Sequence, residues 1–338
     1  MEYRNLGRTG VKVSKFCLGC MYYGDRTSEA DSIAIINKAI DSGINFLDTS
    51  NTYGRGRSEE TIGKALKQNG GREHIVLATK VFGPMDDNDI NAQGNNRRNI
   101  IASCEASLRR LQTDYIDLYQ LHRPDYDVPI DESLRAMDDL VRAGKVRYFG
   151  TSTFAAWQVV ESLWVSKELK LNRTISEQPP YHILDRRIER ELVPVAQSFG
   201  LALMPYSPLA GGFLTGKYQR GQERPKGSRY GEEQYEWNER HFTDAAFDAV
   251  EELAKLALEK GCTMSQLSLA WCAQQPAVTC PIIGPRTIEH LTDNIKALKV
   301  QITEQDKDQI DTISAPGCAV VSYYEPDGRV MFGPYRYR

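Results

Sequence analysis

Eight strand-like runs, each followed by a helix-like run and joined by short connections over about 280 residues, predict a closed barrel of parallel strands, the (β/α)8 or TIM barrel. Two observations favour this over a doubly wound open sheet. No G-x-G-x-x-G follows the first strand, and the clearest composition shift, at 216–241, falls too late to divide the chain into halves. One domain over 1–338 is expected, with an N-terminal β-hairpin, extra helices and long loops at the C-terminal face.

The elements follow in order. Runs 3–6 and 11–13, turned at Gly7-Arg8-Thr9-Gly10, read as the hairpin. Strand 15–20 precedes a helix opened by Ser28-x-x-Asp31, with Ile33, Ile36 and Ile40 on one face. Strand 45–48 leads to a helix from Ser58, strand 74–82 to helix 97–111, and strand 115–122 to helix 129–143, which stops at Gly144. Strands 146–151, 174–178 and 201–206 alternate with helices 155–167 and about 187–199. After the polar segment 216–241 come helices 244–259 and 263–275, the second with a capping box in Thr263-x-x-Gln266. Strand 280–283, helix 288–298, a further helix 304–313 and an aromatic tail complete the chain.

Composition excludes several roles. With 41% apolar and 26% charged residues the chain has ample core, and its net charge of −3 supplies no basic field for nucleic acid or an anionic membrane. Charged Glu2, Arg4 and Arg8 stand where a signal peptide needs an apolar segment, and no run approaches the ~18 residues of a span, so a cytoplasmic location is expected. Cys17 and Cys20 form a C-x-x-C, but no second pair completes a metal site; buried thiols, and no metal, are the reading.

In a barrel all strand C-termini open on one face. Asp48, Lys80 and His122 close the second, third and fourth strands, and Tyr53 sits just after Asp48. Singly, each has an ordinary explanation as a turn residue, loop anchor or core histidine. Together they suggest chemistry. A lysine ending a buried strand needs a carboxylate, for which Asp48 is the candidate, and the ammonium directed at Tyr53 is expected to lower the phenol's pKa so that it can act as a general acid. His122 would add a second hydrogen bond to a carbonyl oxygen gaining negative charge. None of the four is a hydride source, so a reduction would borrow a nicotinamide cofactor.

The ordered motifs Leu18-Gly19-Cys20-Met21, Asp48-x-x-x-x-Tyr53-Gly54, Lys80, His122-x-Pro124-Asp125, Gly150-Thr151-Ser152, Gln178, Tyr206-Ser207-Pro208-Leu209 and Ile283-Gly284 to Asn294 resemble the aldo-keto reductases over almost the whole length. The resemblance implies NADPH-dependent interconversion of a carbonyl and an alcohol, with Asp48, Tyr53, Lys80 and His122 catalytic and Tyr53 the proton donor. It implies cofactor contacts from Gly19, Cys20, Met21 and Asp48, a nicotinamide carboxamide held by Ser152, Thr153 and Gln178, and Tyr206 stacked on the ring. Ser207, Pro208, Leu209, Ala210 and Gly211 would form a turn at the pyrophosphate, closed over by Lys217 and Arg229. Gly284, Arg286, His290, Asp293 and Asn294 resemble the site for the adenosine 2′-phosphate and adenine, which favours NADP over NAD. Thr153 departs from the Asn of many members, His290 from Arg or Gln, and no Lys stands beside Gly284.

The substrate, a small carbonyl or alcohol, should meet loop residues: Tyr22, Tyr23, Phe82 and the loop after it, and Tyr230, Tyr235 and Trp237 of the long segment. The tail aromatics Tyr323, Tyr324, Phe332 and Tyr335 could cap the site or pack elsewhere. Two rivals remain open: physiological alcohol oxidation at the same site, and an NADP-holding, redox-sensing subunit that regulates a partner, as channel-associated members of that family do.

Overall fold

The computed structural model describes residues 1–232 and 241–321; the expectations for Tyr235, Trp237 and the tail aromatics lie outside the described residues. Strands β1 (Tyr3–Asn5) and β2 (Lys12–Ser14) pair antiparallel, with Tyr3 opposite Ser14. Fully buried Leu6 and Val13 carry this hairpin onto Cys17, Phe46, Leu118 and Ala202 inside the barrel. At the turn, Gly7 has φ +57 and a Cβ there would meet backbone atoms of Ile175, Gly200 and Ala202 at 2.7–2.9 Å, so the hairpin closes the end where strands begin.

Eight parallel strands follow: β3 (Cys17–Gly19), β4 (Phe46–Asp48), β5 (Val76–Val81), β6 (Ile116–Leu121), β7 (Val146–Ser152), β8 (Ser176–Gln178), β9 (Ala202–Leu203) and β10 (Ile282–Ile283). Their order is β10-β3-β4-β5-β6-β7-β8-β9. The ring closes where Thr279 N donates to Leu203 O and Ile282 N to Pro205 O, both at 2.8 Å. The fold is a (β/α)8 barrel. Strands β9 and β10 are shorter than the apolar runs that announce them because Pro205 and Pro281 carry no amide for the ladder.

The outer layer comprises α1 (Glu29–Asp41), α2 (Arg57–Asn69), α3 (Arg97–Leu111), α4 (Ile130–Arg142), α5 (Ala156–Glu168), α6 (Leu192–Phe199), the short α7 (Arg229–Glu232), α8 (Asp244–Glu259), α9 (Met264–Ala273), α10 (Ile288–Lys296) and α11 (Glu304–Ile313). Ser28 caps α1 by accepting from Asp31 N at 3.1 Å, and Thr263 with Gln266 forms the capping box of α9. The helix expected over 187–199 is broken into a 3₁₀ turn, Arg187–Glu189, and α6. Pro194 accounts for the break: its ring would meet the carbonyl of residue 190 in a continuous helix, but it is tolerated in the first turn of α6. Among the described residues no helix is long and apolar enough to cross a membrane.

Candidate active site

The mouth of the barrel is built by ordinary strand geometry. Asp48 ends β4, Lys80 lies near the end of β5, and His122 directly follows β6, so three adjacent strands bring a carboxylate, an ammonium and an imidazole to one place. Tyr53 enters from the loop after β4, where Gly54 and Arg55, at φ +56 and +54, fold the chain back towards α2.

Lys80 Nζ, fully buried, donates to Asp48 Oδ1 at 2.5 Å, to Thr49 O at 2.8 Å and to Tyr53 Oη at 3.5 Å. Burial opposes the charge on Lys80, but Asp48 first and Tyr53 second hold its pKa above the ordinary value. Asp48 Oδ2 accepts from Gln120 Nε2 at 3.1 Å and from Gln178 Nε2 at 2.9 Å. Three donors on one carboxylate satisfy the desolvated charge.

The expected lowering of the Tyr53 pKa does not occur. Burial raises it, and the favourable charge of Lys80 only partly offsets this against the further repulsion from Asp48. The phenol is thus firmly protonated, a loaded donor and not a ready base. The His122 ring stands edge-on to Tyr53, with centroids 5.7 Å apart, and its Nδ1 is 3.1 Å from Ser50 Oγ. Burial, then the charges of Lys80 and Arg123, drives its pKa well below the ordinary histidine value, so the ring is neutral near pH 7.

Tyr53, His122 and Asp48 line an inner cavity of about 250 Å³ with Gly19, Cys20, Met21, Ser152, Thr153, Gln178, Tyr206, Ser207, Arg229 and Arg123. Gly19 is required there: a Cβ would approach Ile282 Cγ2 to 2.6 Å. Cys20 is buried with its thiol pKa pushed far up by burial, as is that of Cys17. Thr153 adopts φ +62, a conformation that asparagine tolerates better than a β-branched residue. It is anchored by Thr153 N donating to Gln178 O at 3.1 Å, while Ser152 Oγ donates to the same carbonyl at 3.0 Å.

Ser207, Arg229 and Ile282 also line an outer cleft of about 450 Å³, so the two spaces form one elongated groove. Pro208, Leu209, Gly211, Lys217, Gly284, Arg286, His290, Asp293 and Asn294 line that cleft. Within its turn the amides of Ala210 and Gly212 donate to the carbonyls of Ser207 and Leu209 at 2.8 Å, so these two are engaged internally. A Cβ on Gly211 would stand 2.3 Å from Tyr230 Oη, and that phenol donates to Ala210 O at 3.2 Å. Tyr230 therefore pins the turn from below and is core, 1% exposed, contrary to its expected place on a substrate wall.

Two further expectations move, and a third residue gains a second task. Tyr23 is 1% exposed with its hydroxyl donating to Pro285 O at 3.0 Å, so it braces the loop after β10 and lines neither space. Tyr22 lines the outer cleft, with Arg26 5.1 Å and Arg286 5.8 Å from its ring centroid, and not the inner cavity. Asp293 lines the cleft, yet its carboxylate accepts from Gln266 Nε2 at 2.5 Å and Thr263 Oγ1 at 3.2 Å, a task that fixes the start of α9. Phe82 is half-buried after β5, and its carbonyl accepts from Gly94 N at 2.6 Å.

The chemistry of the cleft fits a bound polyanion. Partial burial and then Arg286 lower the Lys217 pKa, and partial burial, Lys217 and Arg286 in turn lower that of His290. Lys217, Arg286 and His290 stand together in this groove, and the carboxylates of Glu289 and Asp293 offset only part of the like-charge effect on His290, so a phosphate would add favourable charge there. Thr287 caps α10 by accepting from His290 N at 3.2 Å, which places that helix N-terminus beside the same cations. Gln120 and Arg123 complete the site without having been singled out from the sequence. Gln120 was findable: it is a polar residue inside an apolar strand, two positions before His122 and therefore on its face.

A family model described as "Aldo/keto reductase family" matches residues 15–315. An oxidoreductase of Bacillus subtilis (strain 168), YrpG, is 40% identical over 90% of this chain and 93% of its own length. A probable voltage-gated potassium channel subunit beta of Oryza sativa subsp. japonica is 36% identical over 93% of this chain and 96% of its own. A putative voltage-gated potassium channel subunit beta of Schizosaccharomyces pombe is 36% identical over 93% of each. With a barrel whose strand ends carry the carboxylate, ammonium, phenol and imidazole, and with a family match over most of its length, the chain belongs to the aldo/keto reductase family.

Proposed function

We propose that the protein reduces a small aldehyde, ketone or keto-sugar to the alcohol with NADPH. When bound, the dinucleotide supplies the hydride. Tyr53 gives its hydroxyl proton to the carbonyl oxygen, and Lys80, 3.5 Å from that hydroxyl, stabilises the negative charge left on the phenol. Asp48 keeps Lys80 charged and aimed. His122 is neutral, and in the tautomer in which its Nδ1 accepts from Ser50 Oγ its Nε2–H is the second donor to the same oxygen. The observation that carries this reading is the half-buried phenol of Tyr53 with the fully buried Lys80 ammonium 3.5 Å from its hydroxyl at the mouth of the barrel.

NADP preference is supported by the Lys217, Arg286 and His290 cluster at the far end of the groove from Tyr53. The test is a carbonyl panel scored by loss of reduced-nicotinamide absorbance, with Tyr53→Phe alongside. The wild type should turn over at least one substrate class. The variant should lose about 10²–10⁴ in kcat and keep its NADPH affinity, because the phenol serves proton transfer and not cofactor retention. Wild-type turnover in Tyr53→Phe would remove the role assigned to the phenol.

A second reading, an NADP-holding regulatory subunit with little turnover, draws on the relatives named as potassium channel subunits beta. Tight NADPH binding without consumption of NADPH across the whole panel would favour it over the reductase.

A further inference from the structure

Among the described residues, every buried acid but one pairs with a cation, as Asp48 does with Lys80 and Glu59 with Arg110. The exception is Glu177, fully buried on β8, which has no cation within ion-pairing distance. It takes no part in the proton transfer at Tyr53. Removing a carboxyl from water without a counter-charge is costly, so the one geometric bond it makes is informative. Glu177 Oε1 accepts from Phe154 N at 3.0 Å, while Oε2 has no hydrogen-bond partner among the described residues.

Strands β7 and β8 lie in register, with Thr151 opposite Glu177 and Ser152 opposite Gln178. Neighbouring residues of a strand face opposite sides. Gln178 reaches Asp48 at the barrel mouth, so Glu177 faces the outer layer, behind the turn that leads from β7 into α5. That turn is tied to β8 at three successive residues. Ser152 Oγ and Thr153 N both donate to Gln178 O, and Phe154 N donates to Glu177. Between the second and third ties Thr153 holds φ +62, a conformation that a β-branched residue keeps only where its surroundings over-determine it. Ser152 and Thr153 line the inner cavity; Glu177 stands outside that lining. Burial pushes the Glu177 pKa up to about 8, and hydrogen bonding from Thr151, Phe154 and Thr153 offsets only part of this. Oε1 can accept from the amide with the carboxyl in either form.

We propose that Glu177 is a positioning residue for the nicotinamide end of the groove: by holding the Phe154 amide it keeps Thr153 left-handed, and so aims the Ser152 and Thr153 side chains at the carboxamide. This rests on the reading of the groove as a dinucleotide site. Glu177 touches neither cofactor nor substrate and acts through the turn alone.

The test compares two ligands of the full chain by isothermal calorimetry: NADPH, and 2′-phospho-ADP-ribose, which keeps the phosphates and adenosine but lacks the nicotinamide. The wild type should bind NADPH the more tightly. Glu177→Met has a side chain of similar length without the carboxyl acceptor, and it should cut that preference about tenfold by weakening NADPH alone. A general loss of structure would weaken both ligands alike. Glu177→Gln should keep the wild-type preference, because its amide oxygen can accept from the same N–H. Glu177→Asp draws the acceptor back by one methylene and should lower the preference in the same direction; it carries the test if Glu177→Met does not fold. Equal losses for the two ligands, or wild-type preference in Glu177→Met or Glu177→Asp, overturn the proposal, as does a Glu177→Gln variant no better than Glu177→Met. A wild type that binds both ligands equally overturns it too. A wild type that binds neither overturns the dinucleotide reading along with it, whereas lack of turnover on every carbonyl, with the binding pattern as expected, counts only against the reductase.

Discussion

Removing the cation of the buried pair, by Lys80→Met, tests the electrostatic frame on which every role at the barrel mouth depends. In the native protein Asp48 is 3% exposed, with Lys80 at 2.5 Å on Oδ1 and Gln120 and Gln178 at 3.1 and 2.9 Å on Oδ2. Without Lys80 the two amides remain, but Oδ1 is left desolvated and the charge uncompensated. Breaking a buried pair in this way costs about 3–5 kcal/mol. An unfolding entropy of about 2.1 cal/mol/K per residue gives roughly 0.7 kcal/mol/K for this chain, so the melting temperature should fall by about 4–7 °C. Asp48→Asn should be costly for the converse reason, as it leaves a buried ammonium with neutral acceptors alone, the Thr49 carbonyl and the Tyr53 hydroxyl among them. The double variant removes both charges, and its loss should be smaller than the sum of the singles by about 2 kcal/mol. Thermal unfolding of the four proteins, followed by circular dichroism, completes the cycle. Single losses below about 1 kcal/mol, or strict additivity, would refute a tightly coupled buried pair.

Three other outcomes are expected. Because the His122 pKa is depressed below the ordinary histidine value of 6.5 and that of Tyr53 raised above the ordinary phenol value of 10.0, both keep the donor-competent form throughout the interval between these values. The kcat/KM for reduction should therefore be level across that window, with loss of His122 neutrality only on its acid side and of the Tyr53 proton only on its alkaline side; a titration inside it, in a pH–rate profile, would contradict the two shifts. Thr153→Asn should relax the left-handed backbone and stabilise the fold by about 1 kcal/mol, read as a rise in melting temperature; destabilisation would mean that the threonine is not strained. Arg286→Ala should weaken NADPH binding about tenfold or more while leaving NADH binding nearly unchanged, in fluorescence titrations, and equal losses would count against a 2′-phosphate contact.

Much of the architecture could be read from local pattern. Capping signals at Ser28 and Thr263, apolar periodicity, and the alternation of strand and helix are short-range properties, and they sufficed for the barrel and most of its elements. The proximity of Asp48, Lys80 and His122 was also legible, since in a parallel barrel the ends of consecutive strands must adjoin. The misjudged residues share a feature: their environment comes from distant segments. Tyr23 is buried because Pro285, far along the chain, supplies its acceptor, and Tyr230 because the turn at 210–211 closes over it. Asp293 lines the outer cleft as expected, and only its additional bonds to Thr263 and Gln266 at the start of α9 are ones that no spacing near residue 293 reveals.

The sequence by itself determined which groups stand at the ends of which strands, because strand period and order are fixed by the chain. Only the tertiary structure decided what those groups are worth. The phenol of Tyr53 was expected to be acidified by a lysine; burial by surrounding elements outweighs that attraction and keeps it protonated. Desolvation is a sum over everything packed around a group, and no local stretch of sequence contains that sum.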